Sequence, residues 1–385
     1  MKFVFVSTMT MAPWGGSEEL WSRTALALKD AGHGVTVCVA RWPKVHPVVQ
    51  RMLQAGIEVH YHQQFSPGLA MRAMNTLRGS NTESHVREKI SAWLSAQQPD
   101  LVCLSMGNCF DGLEWMTVSR ERAVPYLTVS QSNAEFLWPD DRAARLVADA
   151  YQSARSCCFV SHRNKDLLQN QLAVELPNAS VVHNPFNVRY DNRTSWPEAS
   201  SEYRLACVAR LDPGHKGQDI LLEVLAMEKW RQRALRVDFY GTGHSDQVLQ
   251  RLAARWQLKS VEFHGLVESV EAIWHHHHAL ILPSRIEGLP LALVEAMLCR
   301  RLGIVTDVGG NAEMIEDGRT GFLAAAPTVP LLDQAMERAW QRREEWEHIG
   351  LAARQHVTSI VPADPVEQFS GLVCSAVESP ASLSG

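Results

Sequence analysis

The sequence predicts an α/β chain of two doubly wound domains, each a parallel sheet with helices on both faces. Three observations carry this. Short apolar runs alternate with amphipathic helical stretches in the first half, the same rhythm restarts in the second half, and a polar stretch without periodicity separates them. A length of 385 residues suits two domains of ordinary size, each able to bury its own core.

In the first series Phe3–Ser7 reads as a strand, Glu18–Ala31 as a helix and Gly34–Ala40 as a strand. Leu101–Leu104, Tyr126–Val129 and Cys157–Val160 follow as strands with helical segments between them. Asn187–Glu202 is polar, contains Pro197 and reads as a linker. The second series has strands at Arg204–Ala209, Arg236–Tyr240, Val261–Phe263, Ala279–Leu282 and Gly303–Thr306. Its helices are expected at Asp219–Arg233, Gln247–Trp256, Leu291–Leu302 and Pro330–Glu345. The expected division is 1–186 for the first domain, 187–202 for the linker and 203–360 for the second domain. A last segment, 361–385, returns to the first domain and ends frayed at Glu378–Gly385. Open α/β sheets bind ligands beyond the carboxyl ends of their strands, so two facing sheets are expected to share one cleft.

Composition excludes several classes. A net charge of -5 and a pI near 6.3 give no global electrostatic case for nucleic acid. No stretch reaches the roughly 18 apolar residues of a membrane span. The start, MKFVFVSTMTMAPWGG, mixes its short apolar run with Ser and Thr and leads into a glycine turn, so it reads as a buried first strand and not a leader. Eight scattered cysteines without CxxC spacing read as reduced, mostly buried thiols, which fits a cytoplasmic chain. Ala70–Arg78 mixes Met and Leu with Arg72 and Arg78, and reads either as a peripheral contact for anionic lipid or as a solvated helix.

The strongest chemical signal is Ser284-Arg285-Ile286-Glu287-Gly288-Leu289-Pro290-Leu291 followed by Glu295. Pro290 suits the first turn of a helix, where its missing N–H costs nothing. The free N–H groups and positive dipole end of that helix make a seat for a diphosphate. Glu295 lies in an apolar helix face that has little reason to carry an unpaired carboxylate. A second signal is Arg210 to Gln218, in which Arg210 closes a strand, a Pro-Gly turn follows and Lys216 stands before the next helix. Two cations on a strand-to-helix turn are well placed to hold a departing diphosphate.

The ordered segments ARLDPGHKG, FYGTG, FHG, PSRIEGLPLALVEAM and TDVGGNAEMIEDGRTGF resemble the retaining nucleotide-sugar glycosyltransferases of family 4, which have the two-domain GT-B fold. The resemblance covers nearly the whole second half, and the Glu287–Glu295 spacing matches the family's E-x7-E motif. It implies that Arg210 and Lys216 neutralise the diphosphate, that Glu287 contacts the transferred sugar, and that Glu295 contacts the ribose. Gly288, Leu289, Pro290 and Leu291 would line the sugar and phosphate pocket, with Gly243 on the donor side. In the first half Trp14-Gly15-Gly16-Ser17-Glu18 is similar to the family's glycine-rich loop, whose backbone approaches a phosphate or sugar closely. The implied donor is a nucleotide diphosphate sugar, UDP being the commonest in the family, and the implied acceptor is a carbohydrate or a lipid-linked glycan.

The acceptor-side candidates are Trp14, Asn108, Gln131, Asn133 and Trp138. Gln131 stands where many members carry a histidine, and a glutamine cannot act as a base. Retaining transfer in the family is thought to use the departing phosphate oxygen to accept the acceptor's proton, so the protein's main task is electrostatic. No metal and no cofactor is expected, since the two cations already serve the phosphates and no Asp-x-Asp clamp sits at a strand end. Gly241-Thr242-Gly243 starts like a dinucleotide fingerprint, but Asp246 replaces the third glycine, which favours a close-approach turn over a dinucleotide site. The run His275–His278 reads as solvated or capping. Rival readings are a same-fold epimerase, a phosphorylase, or a non-catalytic partner subunit that binds nucleotide sugars. The first lacks recognisable acid/base groups, the second a pyridoxal-binding lysine with its context, and the third predicts loss of the cations or acids that are present.

Overall fold

A computed structural model describes residues 1–10, 12–62, 82–198 and 202–378 of the chain. The stretch Ala70–Arg78 lies outside the described residues, as do 379–385 of the end expected to fray. The chain divides into two compact units, Met1–Pro185 with Asp364–Gly385, and Phe186–Ala363.

The first unit is built on β1 (Lys2–Ser7), β2 (Gly34–Val39), β3 (Glu58–Tyr61), β4 (Leu101–Met106), β5 (Tyr126–Ser130), β6 (Ser156–Phe159) and β7 (Ala179–Val181). All pair in parallel, in the order β3-β2-β1-β4-β5-β6-β7. Successive side chains of a strand point to opposite faces, and both faces are buried. Phe3 and Phe5 meet Leu20, Trp21 and Leu28 of the helix Glu19–Asp30, while Val4 and Val6 belong to the other core with Trp115 and Met116. That is why β1 reads as an unbroken apolar run. The helix Pro365–Glu378 returns to this unit and sets Phe369, Val373 and Ala376 into the Phe3 core beside Glu19–Asp30. Burial of a Phe or Val side chain is worth about 1.5–3 kcal/mol, so this helix is part of the fold.

The second unit has β8 (Tyr203–Val208), β9 (Leu235–Tyr240), β10 (Val261–Gly265), β11 (Ala279–Leu282), β12 (Leu302–Thr306) and β13 (Gly321–Ala324). Their order is β10-β9-β8-β11-β12-β13, again all parallel. Leu205 and Cys207 face one core and Ala206 the other. The expected helix Asp219–Arg233 is broken at Met227 (φ −64°, ψ 140°) into Gln218–Ala226 and Glu228–Arg231. The helix expected at Leu291–Leu302 stops at Leu298.

Where it is described, the stretch expected to be a linker is built into the second unit. Val188 is buried in a core, Tyr190 Oη donates to the carbonyl of Thr358 at 3.0 Å, and the Arg301 guanidinium donates to the Ser195 carbonyl at 2.6 Å. Its polar composition hides this because the anchoring is largely through backbone carbonyls. The histidine run also differs from expectation. His275 and His276 are exposed, but His277 and His278 are buried. His277 Nε2 lies 2.9 Å from Asp238 Oδ2, and His278 Nδ1 accepts from the Arg204 N–H at 3.0 Å. The buried carboxylate of Asp238 gives the His277 ring its place in the interior, and His278 packs against Trp196 and Tyr203.

Candidate active site

The loops after β8, β9, β11 and β12 bring the second-unit candidates together, and glycines allow the contacts. Gly217 follows the single turn Pro213–Lys216 in the left-handed conformation (φ 64°), and a Cβ there would overlap the Pro283 carbonyl oxygen. The loop that carries Lys216 therefore lies directly on the segment after β11. Lys216 Nζ donates to Glu287 Oε1 at 2.7 Å, and Ser284 Oγ donates to the same oxygen at 2.7 Å. Glu287 is only 6% exposed. Gly243 makes the equivalent approach after β9, where a Cβ would overlap the Leu211 carbonyl oxygen. The Gly-Thr-Gly turn is thus a close-packing device.

Arg210 donates to Asp212 Oδ2 at 3.0 Å, and the ring of His215 approaches the same oxygen at 2.9 Å. Burial works to raise the pKa of Asp212, but the charges of His215 and Arg210 outweigh it and hold the group below the usual carboxylate range. Gln218 fixes the strand end by donating to the Arg210 carbonyl at 2.7 Å. Arg285, inside the strongest motif, is a clamp: it holds both oxygens of Asp219 at 2.6 and 2.8 Å and the Pro213 carbonyl at 2.6 Å.

The helix Leu291–Leu298 begins without a side-chain cap, so its first N–H groups are left for other partners. Pro290 is its N-cap residue, extended at φ −70° and ψ 122°, and not a first-turn residue. Gly288 accepts from the Gly310 N–H at 2.6 Å, which ties the loop after β12 to the turn that carries Leu289 and Pro290. Glu295 is 3% exposed, and its Oε1 accepts from the Asn187 N–H at 2.8 Å and from Asn187 Nδ2 at 3.1 Å. The two acids of the motif are thus held separately, Glu287 by Lys216 and Ser284, Glu295 by Asn187. Neither Ser284 nor Asn187 was a sequence candidate in its own right, and only the buried acid that each serves points to it.

In the first unit Gly15 and Gly16 lead into the 3-10 turn Gly16–Glu18. Trp14 donates from Nε1 to Glu19 at 2.8 Å and stacks on His46 at 4.3 Å. Asn108 accepts from the Phe110 N–H at 2.8 Å and donates to Asp111 at 2.9 Å, closing its own loop. Gln131 and Asn184 exchange amide hydrogen bonds at 3.2 and 2.7 Å, both residues being buried. Asn133 donates to Gln171 at 2.8 Å and accepts from the Ala134 N–H at 2.9 Å. Trp138 is 63% exposed. Sequence reasoning missed Glu18, which is 5% exposed and accepts from Ser7 Oγ at 2.7 Å. Its signal was an acid at the start of an otherwise apolar-faced helix.

Among the described residues one group, Asp238, Glu262 and His264, brings three possible metal-ligand atoms within 4.8 Å. Arg236 already pairs with both acids and Arg204 with Asp238, so the cluster carries its own cations. Burial works against ionisation of Asp238, yet hydrogen bonds from His277, His264 and Arg236 hold it well below the carboxylate range. All eight cysteines are unpaired thiols, seven of them buried. No helix among the described residues is long and apolar enough to cross a membrane.

An open parallel sheet whose end loops carry two cations, a buried carboxylate and an uncapped helix start defines a Rossmann-like unit suited to a phosphorylated ligand. Residues 202–342 match the family model described as Glycosyl transferases group 1. The putative glycosyltransferase EpsD of Bacillus subtilis is 26% identical over 41% of this chain and 42% of its own length. A mannosyltransferase of Mycolicibacterium smegmatis, described as GDP-mannose-dependent and acting on phosphatidylinositol monomannoside, is 27% identical over 42% of this chain and 47% of its own. The chain thus spans less than half the length of these curated relatives. Among solved structures, Anabaena Alr3699/HepE in complex with UDP superposes with a TM-score of 0.74 at 16% identity, covering 97% of this chain and 100% of that one. A glycosyltransferase from Rickettsia africae gives 0.73 at 14% identity over 98% and 100%. Likeness at this identity establishes the fold, which is that of the GT-B glycosyltransferases.

Proposed function

We propose that this chain is a retaining glycosyltransferase that moves a sugar from a UDP-sugar to a carbohydrate or lipid-linked acceptor, without a metal ion. The observation that carries the reading is the Lys216–Glu287 pair, 2.7 Å apart, on the loops that also carry Arg210 and the uncapped start of Leu291–Leu298. On this reading Arg210, Lys216 and the helix start hold the diphosphate, Glu287 touches the transferred sugar and Glu295 the ribose. Arriving phosphate oxygens compete with Glu287 for Lys216 and free the carboxylate to accept from sugar hydroxyls. Charge that develops on the departing phosphate oxygen then meets fixed cations and dipoles, and that oxygen takes the acceptor's proton. Gln131, already paired with Asn184, acts as a hydrogen-bonding neighbour of the acceptor and not as a base. The UDP complex of the Anabaena relative by fold supports UDP as the first donor to try.

The test is a thermal-shift screen of the full chain against UDP-glucose, UDP-galactose, UDP-N-acetylglucosamine and GDP-mannose. A UDP-sugar at about 100 times its dissociation constant should add roughly 2.7 kcal/mol of stability. The shift, and turnover of the same donor, should persist in excess chelator. A shift with GDP-mannose alone would overturn the choice of base, loss in chelator restored by Mn²⁺ the metal-free reading, and no shift with any nucleotide sugar the function itself.

A further inference from the structure

The loops of the candidate site carry two histidines to which none of the roles above gives a task toward a ligand. His215 lies between Arg210 and Lys216 in the loop after β8, and His244 follows the Gly-Thr-Gly turn after β9. Both rings meet Asp212. His215 Nδ1 lies 2.9 Å from Asp212 Oδ2, the oxygen that accepts from Arg210, and His244 Nε2 lies 3.8 Å from Oδ1. The backbone fixes this arrangement. The His215 carbonyl accepts from the Arg285 and Ile286 N–H groups at 2.8 and 3.1 Å, on the segment that leads to Glu287. The turn before His244 is laced to Leu211, whose N–H donates to the Thr242 carbonyl at 3.0 Å and whose carbonyl accepts from the Ser245 N–H at 3.3 Å. Asp212 is 3% exposed and is the N-cap residue of the turn Pro213–Lys216, yet its side chain makes no capping bond. An aspartate in that place ordinarily accepts from the backbone N–H groups that follow it. Here its carboxylate serves Arg210 and the two imidazoles.

The charges around the pair define what protonated histidines would add. Arg210 is paired with Asp212, Lys216 with Glu287 and Arg285 with Asp219. Against its burial, the charges of His215, Arg210 and His244 keep Asp212 ionised. Three cations therefore meet three carboxylates. Asp246, two residues after His244, accepts from Gln250 and adds no positive charge. With both imidazoles neutral, the side chains of this seat offer a diphosphate no net positive charge. Proton uptake by His215 and His244 supplies it, and histidine is the side chain that ordinarily titrates nearest neutral pH. A close anion favours the charged form of an imidazole, so a bound diphosphate adds to the pull of Asp212 and draws protons onto the pair.

We propose that His215 and His244 bind the donor's diphosphate in their protonated form, so that donor binding takes up protons and weakens as the pH rises. Their role as phosphate ligands rests on the nucleotide-sugar reading of this site. Imidazolium is the form the complex favours, so affinity is full below the histidine range and is lost as the pH rises through it. The test is calorimetric titration of the full chain with the four nucleotide sugars named above, between about pH 6 and about pH 8, in buffers of differing ionisation heat. These probes lack a terminal phosphate, whose own ionisation at about pH 6 would overlay that of the protein. At least one should bind about fivefold or more tightly at the acid end, with an apparent heat that varies with the buffer. His215→Gln and His244→Gln keep a polar side chain without the charge. The double variant should bind at every pH with the wild type's affinity at the alkaline end, and its heat should no longer follow the buffer. Histidines that merely shaped the loops would change affinity by the same factor at every pH. The His244 side chain is 69% exposed, so His244→Gln keeps the test open should the double variant fail to fold, and it should take up fewer protons than the wild type. Donor affinity that is flat with pH in the wild type, or a pH dependence that survives intact in these variants, overturns the histidine role and leaves the nucleotide-sugar reading standing. No binding of any of the four probes at any pH removes that reading itself, and the histidine role with it.

Discussion

Lys216→Ala and Arg210→Ala should each lower turnover at saturating donor by on the order of 100-fold or more, while donor affinity falls much less. The expectation starts from charge. The ground-state diphosphate is already anionic, so both cations help binding. As the glycosidic bond breaks, further negative charge collects on the leaving oxygen, and only the added attraction at that moment lowers the barrier. The two residues start from different places. Arg210 is held by Asp212 at 3.0 Å and Lys216 by Glu287 at 2.7 Å, so each is aimed before a ligand arrives. Arg210→Lys should rescue poorly, because a point charge replaces a fork that can hold two oxygens. Lys216→Ala also leaves the buried Glu287 with Ser284 as its remaining hydrogen-bond donor. Turnover must therefore be read well below that variant's own melting temperature. The measurement is donor dissociation constant and saturating turnover for each variant. Should affinity fall while turnover holds, the two residues are anchors only, and Glu287 and Gln131 become the positions to examine.

The central strands were legible because both of their faces are buried, which leaves continuous apolar runs such as Phe3–Val6 and Ala279–Leu282. The strands the sequence did not announce, Glu58–Tyr61, Ala179–Val181 and Gly321–Ala324, are three of the four sheet edges. An edge strand has one neighbour and a mixed set of residues, so it lacks the run that marks a central one. The helix break at Met227 escaped notice because Gln218 to Arg233 keeps a helical pattern without Pro or Gly. The helices Trp346–Ile360 and Pro365–Glu378 were missed in a stretch assigned to the end of one domain and a tail.

At the candidate site, residue types were legible and pairings were not. The sequence singled out Lys216 and Glu287 for separate tasks 71 positions apart, and the glycine-tight approach at Gly217 is what joins them. Asn133 carried no sign that its amide would be spent on Gln171 and Ala134. Glu18 stood in a quoted motif and still went unread, because acids at a helix start, here Glu18 and Glu19, are usually solvated. Only burial distinguishes it.

Arg301→Ala should destabilise the second unit by about 4 kcal/mol or more, beyond the range of ordinary substitutions. The side chain is fully buried, and its hydrogen bonds run to main-chain carbonyls. The guanidinium reaches His277 and Ser195 at 2.6 Å, Trp274 at 2.5 Å, Cys299 at 2.9 Å and Arg300 at 3.2 Å. It also lies 5.1 Å from the Trp196 ring centroid. Burial pushes its pKa down to about 10, which still leaves it charged at neutral pH. Each charge-assisted hydrogen bond contributes about 1.5–3 kcal/mol, and stranding a buried carbonyl costs about 1–3 kcal/mol. These terms share one side chain and do not add fully. Truncation also opens a cavity between the helix end at Leu298 and the 195–196 segment. Arg301→Lys keeps the charge but not the planar fork, so it should recover only part of the loss. For a unit of this size, 4 kcal/mol lowers the melting temperature by roughly 8–16 °C. Thermal unfolding followed by tryptophan fluorescence reads the effect, and limited proteolysis should show faster cleavage within 187–198. A loss under about 1 kcal/mol with unchanged proteolysis would mean that water re-pairs the carbonyls and that the segment's other contacts, those of Asn187, Val188 and Tyr190 among them, hold it.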